Sequence, residues 1–198
     1  MSKEQPIDDR SNGYEAVASD YMSRREQRHI GVATVRRWAR SLRQGGVVLD
    51  LGCGHGLPLS QALLEDGFVI HAIDASPSMV AAFQQHLPRA RVNCEAAEDS
   101  GFFGRQFDGI LAWGLVFLLD EAAQRRLIRR AAGALNPGGR FLFTAPAQPC
   151  TWPDALTGRT SRSLGAEMYK ALLADAHLVL AGEYTDEGDN HYYDAATV

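Results

Sequence analysis

The sequence predicts an α/β fold: a doubly wound, mostly parallel sheet with helices on both faces. Three observations carry this reading. Strand-like apolar runs alternate with helix-like segments along most of the chain. The first run, Val47-Val48-Leu49-Asp50-Leu51, is nearly continuous in apolar character, as a strand buried on both faces must be. It feeds directly into Gly52-Cys53-Gly54-His55-Gly56. That places a glycine loop beyond the carboxyl end of a strand, where open α/β sheets bind ligands.

The elements follow in order. Residues 1–12 are polar, lack the apolar stretch of a signal peptide, and read as a flexible tail. Residues 13–198 read as a single domain that opens with a helical lid at about 14–42. There Val17 and Tyr21, then Val32, Val35, Trp38, Ala39 and Leu42, recur at helical spacing and predict two helices. Gln44-Gly45-Gly46 turns the chain into the first strand, 47–51. A helix over about Leu57–Glu65 ends at Gly67. Strand two, Val69–Ile73, ends at Asp74. Ser76 caps the next helix, with Pro77 in its first turn, and this helix runs to about His86. Arg91–Glu95 is a weaker third strand and Phe107–Trp113 a fourth. Asp120 caps a helix through about Leu135, broken by Asn136-Pro137-Gly138-Gly139. Arg140–Thr144 is strand five. A loop with three prolines spans about 145–162, and Ser163 caps a last helix to Ala174. Residues 178–183 and 190–195 read as a closing antiparallel pair.

Composition narrows the partners. With 45% apolar and 22% charged residues, the 198-residue chain reads as an ordinary soluble domain large enough to bury a core. A net charge of −4 is wrong for following a phosphate backbone, so no nucleic-acid partner is expected. Cys53, Cys94 and Cys150 are far apart and form no CxxC pair, which favours reduced thiols in a cytoplasmic protein. No apolar run has membrane-spanning length. No histidines and carboxylates have metal-ligand spacing, so no metal is expected.

The glycine loop defines the ligand. Glycines let backbone approach a ligand closely, and a helix start favours an anion. The dinucleotide pattern G-x-G-x-x-G is not met, because Leu57 stands where its third glycine belongs. Asp50 is also badly sited for a pyrophosphate and suits a ligand carrying positive charge. Asp74, at the end of strand two, can accept hydrogen bonds from both hydroxyls of a ribose. S-adenosylmethionine combines a ribose with an ammonium and a sulfonium and has no phosphate.

These residues resemble those of the class I S-adenosylmethionine-dependent methyltransferases, in their small single-domain form. The segments that carry the resemblance are VVLDLGCGHG (47–56), IDASPSMV (73–80), CEAAED (94–99), FDGILAWGLVFLL (107–119) and LNPGGRFLF (135–143), in family order. It covers about residues 47–145 well and the rest loosely. It implies a seven-stranded sheet of order 3-2-1-4-5-7-6 with the last strand antiparallel. It also implies roles by position. Asp50 and the stretch Gly52, Cys53, Gly54 and Gly56 hold the methionyl portion, and Asp74 the ribose. Ala75 and Met79 flank the adenine. Ala97 and Glu98 meet its edge, with Glu95 a rival for the carboxylate. Ala112 and Trp113 border the methyl, and Tyr21 and Arg25 belong to the amino-terminal lid.

The function expected is methyl transfer to an O, N, S or C nucleophile of a small-molecule acceptor, by a monomer or weak homodimer. Alternatives are a non-catalytic binder of S-adenosylmethionine or S-adenosylhomocysteine, and an NAD-binding oxidoreductase. In-line transfer requires alignment and exclusion of water, and a base only where the nucleophile must lose a proton. No catalytic residue is therefore assigned. His55 in the loop and His191 beside Tyr192 and Tyr193 are secondary candidates. Trp152, Arg159 and Arg162 in the loop suggest an aromatic wall and an acidic acceptor.

Overall fold

The computed structural model describes residues 9–26 and 29–197. Seven strands form one sheet: β1 (Val47–Leu51), β2 (Val69–Asp74), β3 (Arg91–Cys94), β4 (Phe107–Ala112), β5 (Leu135–Thr144), β8 (Leu178–Thr185) and β9 (His191–Thr197). Their order is β3-β2-β1-β4-β5-β9-β8, with β9 antiparallel to both neighbours. Counting only these strands, this is the 3-2-1-4-5-7-6 order expected from the sequence. Two further strands, β6 (Cys150–Pro153) and β7 (Thr160–Ser163), form a separate hairpin.

Strand periodicity sorts the core onto the two faces. Leu49, Leu51, Ile110, Phe141 and Phe143 point to one side and pack with α5 (Glu121–Gly133) and α6 (Ala166–Asp175). Val48, Ile70, Leu111 and Leu142 point to the other, against α2 (Val32–Ala39), α3 (Leu59–Glu65) and α4 (Pro77–His86), while α1 (Ala18–Glu26) precedes them in the lid. Asp50 shares the period of Val48 and so faces α3. The fully buried Phe141, Phe143, Tyr169 and Tyr193 form one aromatic group, with ring centroids about 5 Å apart.

Several local expectations are corrected. The stretch 145–162 is not plain loop, since it carries most of the β6–β7 hairpin. Ser163 does not cap the last helix. Its Oγ bonds the Pro146 carbonyl and the Gly165 amide, and Gly165 stands at the N-cap of α6. Helix α3 begins at Leu59, because Pro58 occupies its N-cap. Strand β4 ends at Ala112, which frees Trp113 from the ladder. Helix α5 ends at Gly133, and Leu135 already pairs with Phe107. The register then jumps to Gly109 opposite Arg140, so Asn136–Gly139 bulges out of β5. Residues 1–8 lie outside the described residues, but 9–12 do not behave as a tail. Asp9 holds the amides of Ser11 and Gly13 and pairs with Arg159 at 2.8 Å.

Gly109 shows how tightly α2 sits on the sheet. A Cβ there would stand 2.6 Å from Leu42 Cδ1 and 2.9 Å from Trp38 Cη2. Trp38 is 2% exposed and its rigid ring has nowhere to go. Gly109→Ala is expected to lower unfolding stability by about 1–3 kcal/mol through overpacking, read by urea denaturation at unchanged slope.

Candidate functional site

A cavity of about 250 Å³ lies beyond the carboxyl ends of β1, β2 and β4. The glycine loop forms its floor. Gly52 and Gly54 follow β1 with φ of 68° and 56°, a region an L side chain rarely adopts. At Gly54 a Cβ would also come within 3.3 Å of the Tyr21 ring. The turn is held from beneath, because the amides of Gly52 and Cys53 both donate to the Ile73 carbonyl, at 2.8 and 3.1 Å.

Asp74 is the hinge of the site. Its Oδ2 accepts the Gly54 amide at 2.8 Å and its Oδ1 the Ser76 amide at 2.9 Å. Burial raises its pKa, and those same two amides oppose the rise. Ser76 then caps α4 by accepting the Met79 amide at 3.2 Å. Its hydroxyl also donates to Glu15, which takes the Ser78 amide and hydroxyl as well. A carboxylate at the start of α4 is favoured by the helix dipole. The first helical turn among the described residues, Glu15–Val17, is thereby fastened to the rim of the cavity.

Nine of the residues singled out from the sequence line this cavity: Tyr21, Gly52, Gly54, Asp74, Ala75, Met79, Ala97, Glu98 and Trp113. Arg25, Asp50, Cys53, Gly56 and Ala112 do not. Arg25 lies behind the wall, stacked 4.1 Å over the Trp113 ring, and donates to the Ile30 carbonyl. Asp50 is 3% exposed and accepts the Ser60 hydroxyl. Burial, with help from the charge on Asp74, pushes its pKa up to about 7 against the opposing Ser60 bond and Arg25. Cys53 packs toward the α2–α3 face, and burial holds its thiol far above the usual range, so it is no nucleophile. Gly56 is a packing glycine: a Cβ there would meet Leu87 at 2.7 Å and Phe83 at 2.8 Å. Ala112 is fully buried in the core on the α5–α6 side. Of the two rival acids, Glu98 lines the cavity. Glu95 instead accepts from Ser100 at 2.9 Å and Asn93 at 3.1 Å.

Trp113 is positioned by a relay. Its Nε1 donates to the Tyr192 hydroxyl at 2.7 Å, which donates to Asp186 Oδ2 at 2.7 Å. The Asp186 Oδ1 atom holds the Gly188 and Asn190 amides. His55 is fully buried outside the cavity, edge-on to Tyr21 and His86, and burial lowers its pKa to about 4. It is therefore neutral at physiological pH. His191 does not line the cavity and pairs with Glu183 at 3.1 Å. Trp152 packs on Phe117, a cavity residue, at 5.5 Å between centroids. Neither Arg159 nor Arg162 lines the cavity, so the charge argument for an acidic acceptor loses its basis. Among the described residues, no group of three or more His, Cys, Asp or Glu could hold a metal ion.

Sequence reasoning passed over Arg10, Tyr14, Phe117, Asp154 and Asn190, all of which line the cavity. Asp154 carried one local signal: an Asp shortly before Thr157-Gly158 marks a turn. A turn signal does not say which cavity the turn faces.

A sheet of this order, with a glycine loop after β1 and an acid ending β2 at one cavity, defines the class I methyltransferase fold. Residues 48–139 match a family model described as a methyltransferase domain. The chain is 30% identical over 154 residues to a ubiquinone biosynthesis O-methyltransferase of Xanthomonas axonopodis pv. citri, covering 71% of this chain and 62% of the relative. It is 30% identical over 105 residues to a protein of the same name from Coxiella burnetii, covering 51% and 44%. The chain thus spans about half the length of the curated relatives it matches. Among solved structures, the glycopeptide N-methyltransferase MtfA with S-adenosyl-L-homocysteine superimposes with a TM-score of 0.69 at 20% identity, covering 85% of this chain and 90% of the other. The Burkholderia thailandensis 1,6-didemethyltoxoflavin-N1-methyltransferase, with its substrate and S-adenosylhomocysteine bound, gives 0.67 at 21%, covering 100% and 93%. No described helix is long and apolar enough to cross a membrane.

The raised pKa of Asp50 has a testable sign. Between about pH 4 and pH 7 the native carboxyl keeps a proton that the unfolded chain has released. Its contribution to stability is therefore fully present below the unfolded pKa and is lost as pH rises through about 7. Asp50→Asn is expected to gain stability relative to the ligand-free wild type across this window. Urea titrations of both proteins at stepped pH read the difference.

Proposed function

We propose that the protein is an S-adenosylmethionine-dependent methyltransferase acting on a small-molecule acceptor. The observation that carries this reading is the Asp74 carboxylate at the cavity wall. Each carboxylate oxygen has two lone pairs. One on each oxygen takes a backbone amide, and one on each is left for a ribose hydroxyl. The rest of the cavity fits the same ligand. Gly52 and Gly54 keep side chains out of the floor, Ala75 and Met79 offer an apolar slot for a purine, and Glu98 is an acceptor at its edge. Asp50 lies behind the loop, and the ammonium of a methionyl group would favour its ionised form.

Bound there, S-adenosylmethionine supplies a methyl group on a cationic sulfur. The protein holds the ribose through Asp74, sets the indole of Trp113 against the cavity, and covers it with Tyr14 and Tyr21 to exclude water. Burial keeps the phenol of Tyr21 protonated, with its pKa pushed up to about 12, and that of Tyr14 higher still. Neither is a base at neutral pH, and the buried His55 is off the cavity. Catalysis by alignment is what these residues support. The names of the curated relatives, the small substrate of the toxoflavin enzyme and the size of the cavity support a small acceptor. Free Cys53, Cys94 and Cys150 support a reducing, cytoplasmic setting, and a monomer suffices for the site.

Losing two hydrogen bonds to a charged acceptor costs roughly 3–6 kcal/mol. Asp74→Ala is therefore expected to weaken S-adenosylmethionine binding at least about 100-fold in calorimetric titration. Unchanged binding, or tighter binding of NADH than of S-adenosylmethionine by the wild type, would overturn the assignment. Release of S-adenosylhomocysteine in the presence of an acceptor panel separates an enzyme from a mere binder.

A further inference from the structure

The cavity has two ends of different chemistry. One is the nucleoside end just described, between Asp74 and Glu98. The other is walled by Leu115, Phe117, Leu118 and Leu119 and faced by Tyr14 and Asp154. Contacts lead from the first to the second. The Tyr21 ring lies over Gly54, Tyr14 meets Tyr21 edge-on at 5.6 Å, and the Tyr14 hydroxyl reaches Asp154 Oδ2 at 3.1 Å. Asp154 is thus two rings beyond the glycine loop.

We propose that this end is the acceptor subsite, that it takes a small aromatic molecule bearing an ammonium or hydroxyl donor, and that Asp154 is the group that binds that donor. The inference rests on the methyl-donor reading of the opposite end. Asp154 is preset for the role. Its Oδ1 is committed to the amides of Leu156 and Thr157 at 3.0 and 2.8 Å and to the Thr157 hydroxyl at 3.1 Å. That fixes the carboxylate plane and leaves Oδ2, the oxygen the Tyr14 hydroxyl reaches, outside the turn. Burial works against its charge, but the two amides and the Thr157 and Tyr14 hydroxyls prevail and hold it below the usual carboxylate range. It is therefore an anion at neutral pH. The Tyr14 contact is long for a hydroxyl on a carboxylate, where about 2.5–2.7 Å is the strong form. An incoming donor can share or displace it.

The charge around this end sets the acceptor class. Among the described residues the only cation lining the cavity is Arg10, and it pairs with Glu98 and Asp99 at the nucleoside end. Arg159, next to the Asp154 turn in sequence, is drawn away to Asp9. An acceptor carboxylate would meet Asp154 with no compensating cation, whereas an ammonium or hydroxyl would pair with it. The Leu115–Leu119 wall, backed by the Phe117–Trp152 ring pair, suits a flat apolar body.

Three probes of one shape test this: phenethylamine, 2-phenylethanol and phenylacetate, which differ in carrying an ammonium, a hydroxyl or a carboxylate. Each is titrated calorimetrically into the full chain saturated with S-adenosylhomocysteine. Phenethylamine is expected to bind at least about tenfold more tightly than phenylacetate, with 2-phenylethanol between them. Asp154→Asn keeps an oxygen for the turn amides and is expected to erase the preference while S-adenosylhomocysteine affinity stays unchanged. Tyr14→Phe is expected to retain it. Equal binding of the charged probes, binding of none, survival of the preference in Asp154→Asn, or its loss in Tyr14→Phe would overturn the acceptor subsite alone. Failure of S-adenosylhomocysteine to bind in the first titration would remove the donor reading and this inference with it.

Discussion

The two amide bonds to Asp74 are the constraint on which the rest of the site depends. Gly54 and Ser76 belong to different loops, one after β1 and one after β2, and a single carboxylate ties them together. Hydrogen bonds from backbone N–H to a charged acceptor are among the stronger ones a protein makes. Their effect is geometric as well as energetic. They hold the glycine loop at positive φ, start α4 at Ser76, and leave the outer lone pairs of the carboxylate facing the cavity. Through Ser76 and Ser78 the same junction also fastens Glu15, and with it the amino-terminal cover.

A second network fixes the opposite wall. Trp113 leaves the β4 ladder and has no strand partner to orient it. Tyr192, Asp186 and the stacked Arg25 supply that orientation from the carboxyl-terminal strands and from the lid. Gly31 fits between them, since a Cβ there would lie 2.7 Å from the Tyr192 hydroxyl and 3.0 Å from the Trp113 nitrogen. Two parts of the chain remote in sequence therefore meet at the indole. The cover and one aromatic wall are thus held by a shared set of contacts, the arrangement needed to align reactants and keep water out.

The fold was legible because its signals are local. Val47–Leu51 is apolar but for Asp50 because both faces of β1 are buried, and Gly45-Gly46, Gly67 and Asp120 mark turns and caps by their own backbone preferences. The misses are places where tertiary contacts overrule such signals. The β6–β7 hairpin contains Pro153 and exposed residues, with little of the alternation that announces a strand. Leu135 looked like the end of a helix but completes a ladder with Phe107 across a four-residue bulge.

For the site, the sequence by itself determined the glycine loop, the acid ending β2, and their common place at the carboxyl ends of parallel strands. Those follow from backbone geometry and strand polarity, which short segments encode. Only the tertiary structure decided which side chains close the cavity. Tyr14 and Asp154 meet across 140 residues of chain, and Arg159 is drawn away to Asp9 across 150. Such pairings depend on where separate loops land after the sheet is built. No local pattern records that, because a loop's backbone preferences set its turn and not the surface it faces.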